Sequence, residues 1–196
     1  MLTPFMQRLR ESIMPLHDEA EKVGPLHAIP DKTIRHEDYI KVLERLYGFV
    51  SVAEKVIESQ IDDRCVALDY RNRTRVKHLA NDLVFLGRSE DSLEQLPCFD
   101  GVSRLTTLPD ALGCIYLFEG SRLGGLVLSK ALKEHFGFQN FQGYSYFASN
   151  GVDVPAMWAS FKDFMENYVQ TQGGGDEIVV AAKNGFASLN EWLAGA

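Results

Sequence analysis

Hydrophobic residues recur at helical spacing along almost the whole chain of 196 residues. In the first segment they stand three or four positions apart, which is the period of one face of an α-helix. They are Phe5, Leu9, Ile13, Leu16 and Ala20. The β-like run Ile178-Val179-Val180 lies inside a helical period. The pattern therefore predicts an all-α fold with no convincing strand.

Capping and turn residues divide this pattern into about six main helices. Thr3-Pro4 is typical of an N-cap followed by a proline in the first turn, and Gly24-Pro25 is expected to end the first helix. Asp176 is expected to cap the last helix after three glycines. The other predicted helices span about 36–60, 69–87, 109–135, 153–170 and 176–193.

Length, composition and charge limit the class of protein. No linker or repeat divides the chain, so we expect a single domain over residues 1–196. The formal net charge is −7 with 20 basic residues, which predicts no nucleic-acid partner. No apolar run approaches the roughly 18 residues of a membrane span, so no membrane partner is expected either.

The N-terminus and the cysteines indicate the compartment. The first residues lack the basic-then-apolar order of a signal peptide. Cys65, Cys98 and Cys114 are odd in number and widely spaced, which predicts free thiols. We therefore expect a protein of the reducing cytoplasm.

One histidine of the first helix has the surroundings of a metal ligand. Arg10, His17 and Glu21 share a flank of that helix, and Glu21 follows His17 by four positions, the spacing at which helical side chains meet. A carboxylate there can accept the Nδ1 proton, orient the imidazole and leave Nε2 free for a metal. The alternative is an ordinary surface ion pair. Pro15 is expected to bend the helix just before the histidine.

The predicted helix at 109–135 carries an unusual number of glycines. Gly113, Gly120 and Gly124 fall within about 40° on a helical wheel. Each glycine in a helix interior costs roughly 0.5–1 kcal/mol relative to alanine, so this face is expected to admit a close neighbour. That neighbour could be another helix or a flat ligand, and the stripe alone leaves both possibilities open.

Two separated motifs resemble those of a known family. The first is LRE at 9–11 with LHDEAE at 16–21, and the second is ALGCIYLFEGSRLGG at 111–125. Both are similar to the motifs of bacterial haem oxygenases, and the order of the helices agrees over essentially the whole chain. The resemblance implies a single-domain helical bundle that cleaves haem to biliverdin, Fe²⁺ and CO. It also implies O₂ as co-substrate, electrons from a ferredoxin or flavin reductase, and a monomer.

The resemblance also implies how individual residues act on haem. His17 would be the proximal iron ligand, and Glu21 would orient it. Gly120 and Gly124 would lie over the distal face of the haem, with Gly125 beside them.

Further positions would serve proton delivery and the haem propionates. Ser121 stands where mammalian members carry an aspartate, so proton delivery would rely on waters held by Ser121 and the backbone. Arg10 and Lys162 would pair with the propionates, although Glu166 stands one turn after Lys162, where a basic residue is expected.

Three points stay open at this stage. A non-catalytic haem-binding or haem-sensing protein would keep the same His17, and a thiaminase-like hydrolase would use Cys114 as its nucleophile. The basic run at 71–78 is expected to be a solvated surface, with the docking of an acidic electron donor as the alternative.

Overall fold

The computed structural model describes residues 4–101 and 105–195 of the chain. Within these two stretches the protein is helical, with no β-strand, which confirms the predicted fold class. The α-helices are α1 (Pro4–Ala20), α2 (His36–Gln60), α3 (Val76–Phe85), α4 (Glu90–Leu93), α5 (Leu108–Phe136), α6 (Val154–Gln172) and α7 (Gly175–Leu193). Short 3₁₀ segments lie at Gly24–Ala28, Asp63–Leu68, Tyr70–Arg73 and Ser149–Gly151.

Helix α5 is the centre of the bundle. It packs against α2, α6 and α7, while α1 packs against α6 and α7. A capping box of Thr107 and Asp110 begins α5, and Gly137 ends it with a left-handed φ of +72°. The helix is long and apolar enough to cross a membrane by length and composition, but 61% of its most apolar window is buried inside the protein. The central helix of a globular bundle is likewise long, apolar and mostly buried.

Most predicted helices are confirmed, with corrections at their ends. Helices α2, α5 and α6 begin and end within about two residues of the predicted positions. Helix α1 continues through Pro15 and ends at Ala20, four residues before the predicted stop. Gly174 rather than Asp176 is the N-cap of α7, because the Asp176 carboxylate pairs with Arg8 of α1 instead. Thr3 lies outside the described residues, so its capping role stays a prediction.

The predicted helix at 69–87 is wrong in its first half. Asp69 has a left-handed backbone with φ of +49°, which interrupts the helical path between two 3₁₀ segments. Helix α3 therefore begins only at Val76. The solvated surface expected for the basic run is also wrong in part, because Arg73 and Arg75 are 7% and 1% exposed.

These arginines belong to a buried network of charges. Glu119 of α5 accepts a hydrogen bond from Arg73 Nη1 at 2.6 Å and another from Arg122 Nε at 3.0 Å. Arg73 also donates to the backbone oxygen of Leu68 and to the Ser160 hydroxyl. Within residues 4–101 and 105–195 the buried charged side chains are Glu54, Asp82 and Glu119 against Arg73, Arg75 and Arg122, so the two signs balance there. The network fastens the segment before α3 to the middle of α5.

Replacement of Glu119 by Gln is expected to destabilise the protein by about 3–5 kcal/mol, since two buried guanidinium groups lose their counter-charge. The measurement is the free energy of unfolding in urea. Glu134→Gln is the matched control, because it breaks an exposed ion pair with Lys32 and is expected to leave stability unchanged. Equal midpoints for Glu119→Gln and the wild type would contradict the role assigned to the network.

Candidate functional site

A cavity of about 450 Å³ opens between α1, α2, α5 and α7. Its wall is mostly aliphatic and aromatic, and the segment 24–30 closes one edge. The side chains in the wall that carry polar groups are His17, Glu21, His27, Arg75, Ser121 and Tyr146. A concave apolar site of this size with a few polar groups is typical of a small-molecule or cofactor pocket.

His17 lies in the last turn of α1 and reaches this cavity. Its Nδ1 atom is buried and has no hydrogen-bond partner among the described residues. The nearest carboxylate oxygens are Glu21 Oε1 at 3.8 Å and Asp18 Oδ1 at 4.0 Å. The spacing predicted for His17 and Glu21 is therefore present, but the separation exceeds that of a hydrogen bond.

The three glycines of the α5 stripe have different neighbours. A Cβ atom at Gly113 would lie 2.6 Å from both Ala181 Cβ and Ala182 N of α7, so this glycine serves close helix packing. At Gly120 and Gly124 a Cβ atom would meet nothing within 4 Å. Gly124 lines the cavity, and Gly120 lies one turn before it.

Gly125 has yet another role. It lines the cavity, but a Cβ atom there would lie 2.7 Å from the backbone oxygen of Phe147. The segment around Phe147 therefore packs directly on the α5 backbone. The glycine stripe as a whole combines helix packing at one end with an open, side-chain-free wall at the other.

Ser121 is held in place by an arginine that the sequence did not single out. The Ser121 hydroxyl donates to the backbone oxygen of Phe118 and accepts from Arg75 Nη1, both at 2.8 Å. Arg75 also donates to the oxygens of Phe118 and Tyr146, and its guanidinium carbon lies 3.9 Å from the Tyr146 ring centroid. Burial lowers the pKa of Arg75 from its usual value. The contact between Arg75 and Ser121 was not predicted, because Arg75 lies in a basic run that was expected to face solvent.

Two buried carboxylates fix the position of Arg75 and Tyr146. Glu54 of α2 accepts from the backbone N–H groups of Arg75 and Val76, and burial raises its pKa. Asp82 of α3 accepts from the backbone N–H of Tyr146 at 2.8 Å, and burial raises its pKa to about 6. The arginine side of the cavity is thus built by backbone contacts from three parts of the chain.

The residues expected to bind propionates do not line the cavity. Arg10 is exposed, and no residue of α6, which carries Lys162, is in the cavity wall. Burial raises the pKa of Tyr116 to about 12, and the charge of Arg10 counteracts part of this rise, which places Arg10 near that ring. Glu166 has one buried carboxylate oxygen without a partner among the described residues. His27, in the 3₁₀ segment Gly24–Ala28, is in the wall.

The cysteine expected for the alternative hydrolase is unsuited to nucleophilic attack. Cys114 is fully buried in α5, and burial raises the pKa of its thiol to about 12. A thiol with such a pKa is protonated at neutral pH.

Comparisons with known proteins point to one family. Residues 3–195 match the family model described as "Heme oxygenase". A heme oxygenase of Xanthomonas campestris pv. campestris (strain 8004) is 27% identical over 173 residues, which cover 86% of this chain and 96% of that protein.

Solved structures show the same fold. The heme oxygenase of Leptospira interrogans superposes with a TM-score of 0.86 at 16% identity, covering 99% of this chain and all of that one. Heme oxygenase-1 of the cyanobacterium Synechocystis sp. PCC6803, solved in complex with heme, gives 0.82 at 20% identity, covering 98% of this chain and 92% of that one. Since the family model matches nearly the whole sequence, the chain belongs to the haem oxygenase family.

Proposed function

We propose that this protein cleaves haem to biliverdin, Fe²⁺ and CO, using O₂ and electrons from a ferredoxin or a flavin reductase. Membership of the haem oxygenase family supports an enzyme that degrades haem. One observation carries the assignment of the site. A histidine with a free ring nitrogen and the side-chain-free wall of α5 face the same apolar cavity.

The residues of this cavity fit haem as substrate. The buried Nδ1 of His17 lacks a partner but lies near Glu21. Nε2 can therefore bind iron while the Glu21 carboxylate accepts a hydrogen bond from Nδ1–H. The missing side chain at Gly124 leaves room for a flat ring beside the α5 backbone. Apolar walls suit the porphyrin, since they bury its faces away from water.

Haem bound here would supply both the iron that activates O₂ and the porphyrin edge that is cleaved. Within the proposal, His17 is a neutral ligand. Strong electron donation by a thiolate ligand favours O–O cleavage, and an imidazole lacks that donation. Gly120 and Gly124 would keep the space beside the α5 backbone free of side chains, and Gly125 lets the Phe147 segment pack next to it. These features direct reaction toward the ring itself.

Ser121 is proposed to hold the water that delivers protons. Arg75 donates to Ser121 Oγ, and the hydroxyl proton of Ser121 is directed to the Phe118 oxygen. The remaining lone pair of Oγ can accept only from a donor such as water. A water held this way keeps its second proton free to point into the cavity. Ser121 and Arg75 together thus replace the aspartate found in mammalian members.

Partners and compartment complete the proposal. We infer a cytoplasmic monomer that meets its electron donor in solution. Of the basic run, Arg71 and Lys77 are exposed and can attract an acidic donor, whereas Arg73 and Arg75 are buried.

The test is reconstitution of the purified protein with ferric haemin, followed by ascorbate or a reductase in air. We expect stoichiometric haemin binding, loss of the Soret band and the appearance of a biliverdin absorption band. Binding followed by bleaching without a bilin would favour the haem-sensing alternative. No haemin uptake would reject both haem functions.

A further inference from the structure

His27 presents one ring nitrogen to the cavity in a fixed orientation. Its Nδ1 lies 2.7 Å from the backbone oxygen of Gly24. A carbonyl oxygen can only accept, so Nδ1 carries a proton and donates it. No hydrogen bond among the described residues involves Nε2 of this ring. His27 is exposed and lines the cavity, so it stands at the cavity mouth.

The segment that carries His27 is anchored at several points. Ile29 and Ile34 are buried in the core. His135 of α5 donates from Nε2 to the backbone oxygen of Ile34 at 2.8 Å. Lys32 of the same segment also forms an exposed ion pair with Glu134 of α5. The ring is therefore held by packed backbone rather than by a loose loop.

The other ionisable side chains of the cavity wall are committed or of the wrong charge. His17 is assigned to iron, and Glu21 is an anion beside it. Arg75 donates from its terminal nitrogens to Phe118, Ser121 and Tyr146, and its Nε is buried without a partner among the described residues. Tyr146, also in the wall, is 5% exposed and lies against the Arg75 guanidinium. His27 is thus the exposed basic residue of the wall that is left to bind an anionic group of a ligand.

We propose that His27 Nε2 binds a carboxylate of the cavity ligand, which for haem is one of its two propionates. The inference rests on the proposed function and moves the propionate contact away from Arg10 and Lys162, which do not line the cavity. With Nδ1 bound to Gly24, a ring that donates from Nε2 is an imidazolium, so the hydrogen bond is charge-assisted. At the mouth the carboxylate also keeps part of its hydration, which limits the cost of desolvation. The contact would fix the rotation of the porphyrin in its plane, and hence the meso carbon that is attacked.

The experiment compares the affinity of ferric haemin for the wild type, His27→Ala and His27→Lys. We expect His27→Ala to bind about tenfold more weakly and His27→Lys to recover most of the affinity, because lysine restores a cation. His36→Ala is the matched control, since His36 is an exposed histidine outside the cavity wall. With haemin dimethyl ester, whose carboxylates are blocked, His27→Ala and the wild type should bind equally. The ratio of biliverdin isomers should shift only in the His27 variants.

Several results would overturn the inference. A haemin affinity of His27→Ala within twofold of the wild type would exclude the contact. Because the wild type and His27→Ala would then both still bind haemin, the proposed function would stand. A change in the iron-ligation spectrum of His27→Ala, with no rescue by lysine, would make His27 an iron ligand instead. Equal weakening for haemin and its dimethyl ester would show a purely structural role. Failure of the wild type to bind haemin at all would remove both proposals together.

Discussion

Replacement of His17 by Ala is expected to abolish axial ligation of haem iron and to reduce bilin formation at least about 100-fold. The imidazole lies in the cavity wall with Nδ1 buried near Glu21 and Nε2 available, an arrangement that suits a metal ligand. The side chain is 43% exposed and makes no hydrogen bond among the described residues. The free energy of unfolding should therefore change by about 1 kcal/mol or less. The measurements are the Soret and ligand-field spectra of the haemin complex, together with turnover.

Neighbouring substitutions separate ligation from a general effect on α1. Glu21→Gln keeps the shape but weakens the acceptor for Nδ1, so we expect about a tenfold loss of activity with the iron–histidine bond retained. Asp18→Asn changes the other nearby carboxylate and should have little effect. Added imidazole should restore ligation to His17→Ala because it can occupy the vacated space. An unchanged ligation spectrum in His17→Ala would refute the assignment.

The helices could be predicted wherever local periodicity decides the structure. Helices α2, α5 and α6 follow from apolar spacing, and in the structure Thr107, Asp153 and Gly137 cap the ends of α5 and α6. Their signals are contained within a few residues, so no distant contact is needed to recognise them. The early end of α1 at Ala20 and the break at Asp69 depend on tertiary packing, which the periodicity does not contain.

Some residues of the candidate site could likewise be predicted from local motifs, and others could not. His17, Ser121 and the glycines stand in motifs whose chemistry is visible in the sequence. Arg75 is invisible there, because its partner Ser121 is 46 residues away and a basic residue in a basic run normally faces water. The charge balance around Glu119 likewise becomes clear only when separated segments meet.

Helix packing explains one glycine of the stripe and leaves the other two without a protein neighbour. Gly113 packs on α7, whereas Gly120 and Gly124 face open space. A helical wheel cannot separate them, since all three lie on one face and the distinction depends on where α7 stops covering α5. Substitutions at Gly113 and Gly124 should therefore have opposite effects on stability.

Gly113→Ala is expected to destabilise the protein by about 1–3 kcal/mol, because its Cβ would collide with the backbone of Ala182. Gly124→Ala should stabilise the free protein by about 0.5–1 kcal/mol, since alanine favours the helix and meets no neighbour. The same methyl group reduces the space for the porphyrin, so haemin affinity should fall. Gly124→Leu should abolish haemin binding while the protein stays folded. Urea unfolding and haemin titration of the three variants test these expectations, and normal haemin binding by Gly124→Leu would show that this wall of the cavity does not contact the ligand.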